Sequence, residues 1–316
     1  MNKKRLFTSI LAIVSVVAIS VGGYTYRDAI QSRIARTAAV VSGQEIKPLL
    51  DSEGRYIRQI VAQDNSTSRT IMWQSDSSEP DAVIEYRQDG TDTIQTIGAT
   101  DKAFTDDGST TYIHEATLMG LTPNTKYEYR VGYGSDRRSD WYPLETAGAS
   151  VYDVLIYPDS QSGDYSQWEE IVKDSAYRTP KAALYIGMGD LVDNGEQAYQ
   201  WRTWLNSIHP LSTRVPLAPM MGNHEMYTLD WKMREPKAYL NYFDVPSNGN
   251  TTFDRHYYSY DYGDVHYVVL DTQLYESNHD DNHDVHHPDL YDVQVQWLRQ
   301  DLANNTKKWT VVLMHR

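Results

Sequence analysis

The segment Ala182-Ala183-Leu184-Tyr185-Ile186-Gly187-Met188-Gly189-Asp190-Leu191-Val192-Asp193 begins apolar, turns at Gly189-Asp190 and carries a second carboxylate three residues later. A short apolar run closed by glycine reads as a buried strand, Ala182–Ile186, with polar residues delivered just beyond its carboxyl end. The arrangement recurs in both directions. Upstream, Tyr152–Tyr157 ends at Pro158-Asp159, with Gln161 close behind. Downstream, Val215–Met221 ends at Gly222-Asn223-His224, and Trp309–Met314 ends at His315. Helical spacing fills the intervals. Ser166–Tyr177 carries Trp168, Ile171 and Val172, while Glu196–Ile208 and Asp292–Asn304 are two further helices. His256–Tyr262 and Val265–Asp271 read as strands joined at Gly263. This alternation predicts an α/β domain over residues 149–316.

In open α/β sheets, ligands collect at the carboxyl ends of the strands. Asp159 with Gln161, Asp190 with Asp193, Asn223 with His224, and His315 can therefore converge although far apart in sequence. Carboxylate, amide and imidazole donors suit hard or borderline ions such as Mn, Fe, Zn or Mg, and this set supports a pair of ions better than one. Plainer readings exist: Asp190 and Asp193 as an N-capping turn, His224 as a satisfied core histidine, His315 as structural. Recurrence at successive strand ends favours ligation. Tyr227, Trp231 and Tyr239 read either as core or as the wall of a pocket for the organic part of a substrate.

Residues 55–148 have a different texture. Short alternating runs (Thr70–Trp73, Ala82–Tyr86, Tyr112–Leu118, Lys126–Val131) are separated by turn signals at Asp89-Gly90, Asp107-Gly108 and Pro123-Asn124. That spacing predicts an antiparallel sandwich with Trp73 in its core. The stretch Leu121-Thr122-Pro123-Asn124-Thr125-Lys126-Tyr127-Glu128-Tyr129 resembles the fibronectin type III turn, with Tyr127 as its corner tyrosine. The aromatics here read as packing, and this part shows no visible chemistry.

Before it, Lys3, Lys4 and Arg5 precede an apolar run from Leu6 to Val21, so residues 1–27 read as a signal peptide or a membrane anchor. Residues 28–54 read as a linker. Export to the cell exterior, secreted or tethered, is the expectation, and a bacterial envelope is compatible with it. The chain of 316 residues has a formal net charge of −14, which argues against a general nucleic-acid-binding surface. It has no cysteine, which removes disulfides, zinc–cysteine sites and cysteine nucleophiles. The stretch 278–289, rich in His and Asp, reads as a solvated surface insertion.

Gly189-Asp190-Leu191-Val192-Asp193 resembles the GDxxD block of calcineurin-like metallophosphoesterases, and Gly222-Asn223-His224-Glu225 resembles their GNHE block. The preceding sandwich is similar to the N-terminal domain of purple acid phosphatases. The resemblance extends from about Arg55 to Arg316. It implies a fibronectin-like sandwich followed by an α/β domain of two sheets flanked by helices. It further implies that Asp190 bridges two metal ions, that Asp159 and Gln161 bind the first, and that Asn223 and His315 bind the second. His224, oriented by Asp193, would be the general acid or a donor to developing charge. The cofactor expected is a pair of divalent or trivalent ions, Fe, Mn or Zn.

Three departures qualify this picture. Gln161 stands where the family's first block has His, and its carbonyl oxygen is a weaker ligand for a hard cation. Asp193 stands where purple acid phosphatases carry a tyrosine ligand, so no tyrosinate colour is expected. The closing Gly-His-x-His block is not among these residues, which leads to the expectation of a C-terminally incomplete domain and a poor catalyst in this segment. The implied reaction is hydrolysis of a small-molecule phosphomonoester by a metal-activated hydroxide. The alternatives are a phosphodiesterase or nucleotidase, or a surface binding protein with a degenerate metal site.

Overall fold

The computed structural model describes residues 54–148, 151–273 and 289–315. The N-terminal run, nearly all of the 28–54 linker and the stretch 278–288 lie outside the described residues.

The sandwich is built from β1 (Arg55–Ile60), β2 (Arg69–Ser75), β5 (Lys102–Asp106) and β6 (Ser109–Leu118) facing β3 (Ala82–Gln88), β4 (Gln95–Gly98), β7 (Lys126–Tyr133), β8 (Arg137–Arg138) and β9 (Tyr142–Glu145). Alternation explains its core. In β3 every second residue, Ala82, Ile84 and Tyr86, turns inward onto Trp73, Tyr129 and Val131. Trp73 is wholly buried, and its indole N–H donates to the Tyr133 hydroxyl at 3.1 Å. The Tyr127 hydroxyl accepts the Thr122 N–H at 2.9 Å, the backward bond of a corner tyrosine.

The α/β part begins with β10 (Asp153–Tyr157), β11 (Ala182–Met188) and β12 (Leu217–Met220), all parallel. Beyond it, β13 (Tyr258–Tyr262), β14 (Val265–Val269) and β15 (Trp309–Leu313) form a second sheet in which β14 and β15 are parallel. One hydrophobic core joins the two sheets, with Leu184, Ile186, Leu217, Tyr258, Tyr260, Val269 and Leu313 in a single cluster. The Tyr258 and Tyr239 hydroxyls cross the layers to the Pro219 carbonyl at 2.5 and 2.9 Å. Tyr239 is therefore core, not a pocket wall.

Helix α1 (Ser166–Arg178) seats Trp168 and Val172, an i,i+4 stripe, against this core. Ile171 is 50% exposed, because the residue beside Val172 lies about 100° further round the helix. Helix α2 (Ala198–Ser207) buries Trp201 and Trp204 completely. Two short helices, α3 (His209–Ser212) and α4 (Lys237–Tyr242), complete this layer, and α5 (Leu290–Asn304) leads into β15.

The two parts share a sheet, which the sequence does not announce. The order β10-β11-β12-β1-β2-β6-β5 runs without a break, with β1 parallel to β12 through Ile60 and Leu217. The core follows suit: Ile60, Val61, Met72, Phe104 and Ile113 of the sandwich belong to the α/β cluster.

Candidate metal centre

Strand polarity assembles the site. Because β10, β11 and β12 are parallel, Asp159, Asp190 and Asn223 emerge from one edge, and His315 follows β15 onto the same ground. Both aspartates take the left-handed conformation, φ +52° at Asp159 and +49° at Asp190, so each chain turns sharply just past its strand. Gly189 and Gly222 allow the crowding. A Cβ on Gly222 would lie 2.0 Å from Asp190 Oδ1, and one on Gly189 2.7 Å from His315 Nδ1.

Ligand atoms of Asp159, Asp190 and His315 all lie within 4.8 Å of one another. His315 donates from Nδ1 to the Met188 carbonyl at 2.8 Å, which turns Nε2 toward Asp190 Oδ2 at 3.2 Å. An imidazole held through one nitrogen presents the other as a ligand. The hydrogen bond to Asp190 raises the His315 imidazole above its ordinary value. Burial works against ionising Asp190, but the His315 hydrogen bond and the His224 charge prevail and hold its carboxyl below the usual range.

Asn223 supplies the most direct test of whether a cation fits. Its Nδ2 donates to the Tyr227 hydroxyl at 3.1 Å, while its enclosed Oδ1 has no hydrogen-bond partner among the described residues. A buried amide oxygen left unpaired costs about 1–3 kcal/mol, and a bound cation removes that cost. Gln161 fits in the same sense. The amide orientation that satisfies its surroundings donates to the Asp159 and Asp190 carbonyls at 3.2 and 2.9 Å. Its oxygen then lies on the side of Asp190 Oδ2, 3.4 Å away, where a shared cation would draw both oxygens together. The donor set of two carboxylates, two amide oxygens and an imidazole matches hard or borderline ions.

His224 stands beside this group, not within it. Its backbone N–H donates to Asp190 Oδ1 at 3.0 Å, and its Nδ1 meets the Asp193 carbonyl at 2.7 Å and Asp193 Oδ1 at 3.5 Å. Nε2 is left 3.9 Å from Asp190 Oδ2. Burial disfavours the imidazolium, but the Asp193 hydrogen bond and the Asp190 charge outweigh it and raise the group to about 9. Asp193 thus contacts His224 and lies apart from the three-ligand cluster.

Two supports escaped the sequence reading. Glu225, wholly buried, accepts N–H groups from Asp190 (2.9 Å), Leu191 (2.8 Å), Val192 (3.2 Å) and Gly222 (2.7 Å), tying the Asp190 turn to the Gly222-Asn223 turn. Burial and the Asp190 charge push its carboxyl up to about 7, against the Gly222 and Val192 N–H groups. Gln200, on α2, does the same for the Asp193 turn, accepting from the N–H groups of Asp193 (2.7 Å) and Asn194 (3.0 Å). A carboxylate directly after the ligand block was the available signal for Glu225; nothing local marks Gln200.

Comparison with known proteins converges on one family. Residues 139–316 match the calcineurin-like phosphoesterases, and residues 56–146 match the N-terminal domain of purple acid phosphatases. The chain is 26% identical over 241 residues to purple acid phosphatase 23 of Arabidopsis thaliana, covering 64% of this chain and 48% of that protein. It is 26% identical over 231 residues to acid phosphatase type 7 of Mus musculus, covering 69% and 48%. The chain thus spans about half the length of these curated relatives. Among solved structures, the purple acid phosphatase PPD1 from yellow lupin (Lupinus luteus) seeds superimposes with a TM-score of 0.67 at 19% identity, over 84% of this chain and 51% of that one. That likeness establishes the shared fold.

Proposed function

From the premise that this chain belongs to the calcineurin-like phosphoesterase family, we propose that it serves metal-dependent hydrolysis of small-molecule phosphomonoesters. The observation that carries the reading is the meeting of Asp159, Asp190 and His315 within 4.8 Å, next to an unpaired, buried Asn223 Oδ1. Asp159 and Gln161 would hold one ion, Asn223 and His315 a second, and Asp190 would serve both. When bound, such a pair neutralises phosphoryl oxygens and acidifies water for in-line attack.

The remaining work falls to the chain itself. His224 turns Nε2 to the side facing Asp190, while Nδ1 is fixed by Asp193. A proton held there can pass to a departing alkoxide oxygen or stabilise charge on the phosphoryl group. Glu225 keeps the two ligand-bearing turns in register, so the ligands are arranged before the ions arrive. Export belongs to the same proposal, supported by Lys3, Lys4 and Arg5 ahead of Leu6–Val21.

The test is hydrolysis of an aryl phosphomonoester by the complete gene product, stripped of metal and reloaded with Mn, Zn or Fe. The expected outcome is metal-dependent turnover that falls to background in Asp190→Ala. A folded, metal-loaded protein that turns over nothing with any of the three ions overturns the reading.

A further inference from the structure

Beyond Glu225 the chain makes a tight excursion. Tyr227 and Met233 pair across it, Thr228 N–H donates to the Lys232 carbonyl at 2.8 Å, and Arg234 N–H returns to the Met226 carbonyl at 2.8 Å. Near the tip, Trp231 N–H donates to the Thr228 carbonyl at 2.9 Å, and Trp231 itself has φ +62°. A bulky side chain in that conformation is an outlier that persists only where its surroundings impose it. The surroundings do so on both flanks. Leu229 N–H is held by Glu196 Oε2 at 2.6 Å, and the Arg234 guanidinium by Asp106 Oδ1 at 2.8 Å.

What the strained turn presents is an indole that the core does not take in. Trp168, Trp201 and Trp204 are buried, whereas Trp231 stays partly exposed. Its ring stands 6.0 Å from that of His224 at 88°, and 5.4 Å from that of Tyr227 at 47°. Tyr227 in turn lies edge-on to His224 at 5.2 Å, with its hydroxyl on the Asn223 amide. The rings therefore reach from the Asn223 amide, past the His224 imidazole, to partly exposed ground.

We propose that Trp231, with Tyr227, is a specificity-determining face that binds the planar aromatic alcohol portion of the substrate, making this a site for aryl phosphomonoesters. The inference rests on the phosphoesterase reading and names its substrate class. A phosphoryl group beside His224 would lie close to these rings, whose centroids stand 5.2 and 6.0 Å from the imidazole. A flat aromatic group gains from offset or edge contact with them, beyond the area it buries, and a small alkyl group does not. The loop's rigid anchoring means that this face need not be organised at the moment of binding.

The test is calorimetric binding of phenylphosphonate and methylphosphonate to the complete, metal-loaded gene product, in wild type, Trp231→Gly and Trp231→Phe. Neither probe is turned over, so leaving-group chemistry does not enter. Glycine suits φ +62°, so the strain relieved offsets part of the packing lost, and Trp231→Gly is expected to stay folded. It should bind phenylphosphonate roughly five- to tenfold more weakly, about what an aromatic pair contributes, and methylphosphonate within twofold of wild type. Trp231→Phe should recover most of the phenylphosphonate affinity. Equal weakening of both probes, or of neither, overturns the assignment while leaving the phosphoesterase reading in place. Wild-type protein that binds neither phosphonate with any metal overturns both.

Discussion

A carboxylate without solvent contact that accepts four backbone N–H groups, as Glu225 does, is more than a fourth letter of its motif. Substituting Gln keeps the shape but replaces one acceptor oxygen with an NH2 that meets backbone donors. Hydrogen bonds to a buried charge contribute more than neutral ones, and an unpaired buried N–H costs further. Glu225→Gln is therefore expected to lower stability by about 2–4 kcal/mol in chemical denaturation. It should also weaken metal binding measured by titration, because the Asp190 turn loses its anchor. A change below about 0.5 kcal/mol would mean that the cage carries little of the load. At this scale Asp159, Asp190 and His315, which the structure brings together, were legible as candidates because each follows an apolar strand, a local pattern. Gln200 was not, since it acts on the Asp193 turn from a neighbouring helix, and Tyr227 was legible as core or pocket wall but not as the hydroxyl that meets the Asn223 amide.

Among the elements, β13, β14 and α5 are pinned by a titratable residue outside the site. His266 on β14 is buried, with Nδ1 2.8 Å from Asp261 Oδ1 on β13 and Nε2 2.8 Å from Asp301 Oδ2 on α5. Lys307 Nζ lies 3.7 Å from the other Asp261 oxygen, and Asp64 pairs with the Asp261 backbone. With an acceptor on each ring nitrogen, only the imidazolium satisfies both bonds. Burial opposes that charge, but the Asp301 and Asp261 hydrogen bonds prevail and raise the group. A raised histidine contributes stability that is fully present below the unfolded-state value of about 6.5 and lost as pH rises through the folded-state value. The stability gap between wild type and His266→Asn should thus be widest near pH 6 and shrink by pH 9, read from denaturation midpoints at the two values. A gap that grows with pH would refute the doubly bonded imidazolium. The strands themselves were plain in the sequence, because β-rich runs flank Gly263. The clasp was not, because Asp301 lies 35 residues from His266.

On the scale of the whole molecule, the sandwich is built into the α/β part. The β5–β6 hairpin turns through Asp107-Gly108, both at positive φ, as the sequence pair predicts. The pair does not reveal where the hairpin docks. Asp107 Oδ2 accepts the N–H of Ala198, the first residue of α2, at 3.3 Å, and Ser109 meets Arg202 at 3.1 Å. Asp106 grips Arg234, whose guanidinium also reaches the Gly195 carbonyl at 3.3 Å. The sandwich thereby holds the two loops that bracket His224, one carrying Asp193 and the other Trp231. Texture marked residues 55–148 as a separate unit because strand patterning is local, whereas a shared sheet and a shared core are long-range. Hydrogen bonds to a charged group contribute about 1.5–3 kcal/mol, and without Asp106 the Arg234 guanidinium keeps the more distant Glu196 carboxylate, 3.8 Å away. Asp106→Ala is accordingly expected to destabilise the molecule by about that amount. Amide exchange should accelerate in residues 193–198 and 226–234 as well as in the hairpin, because the loops lose the contact that fixes them. Faster exchange confined to β5 and β6 would mean that the loops keep their own shape and that the sandwich merely leans on them.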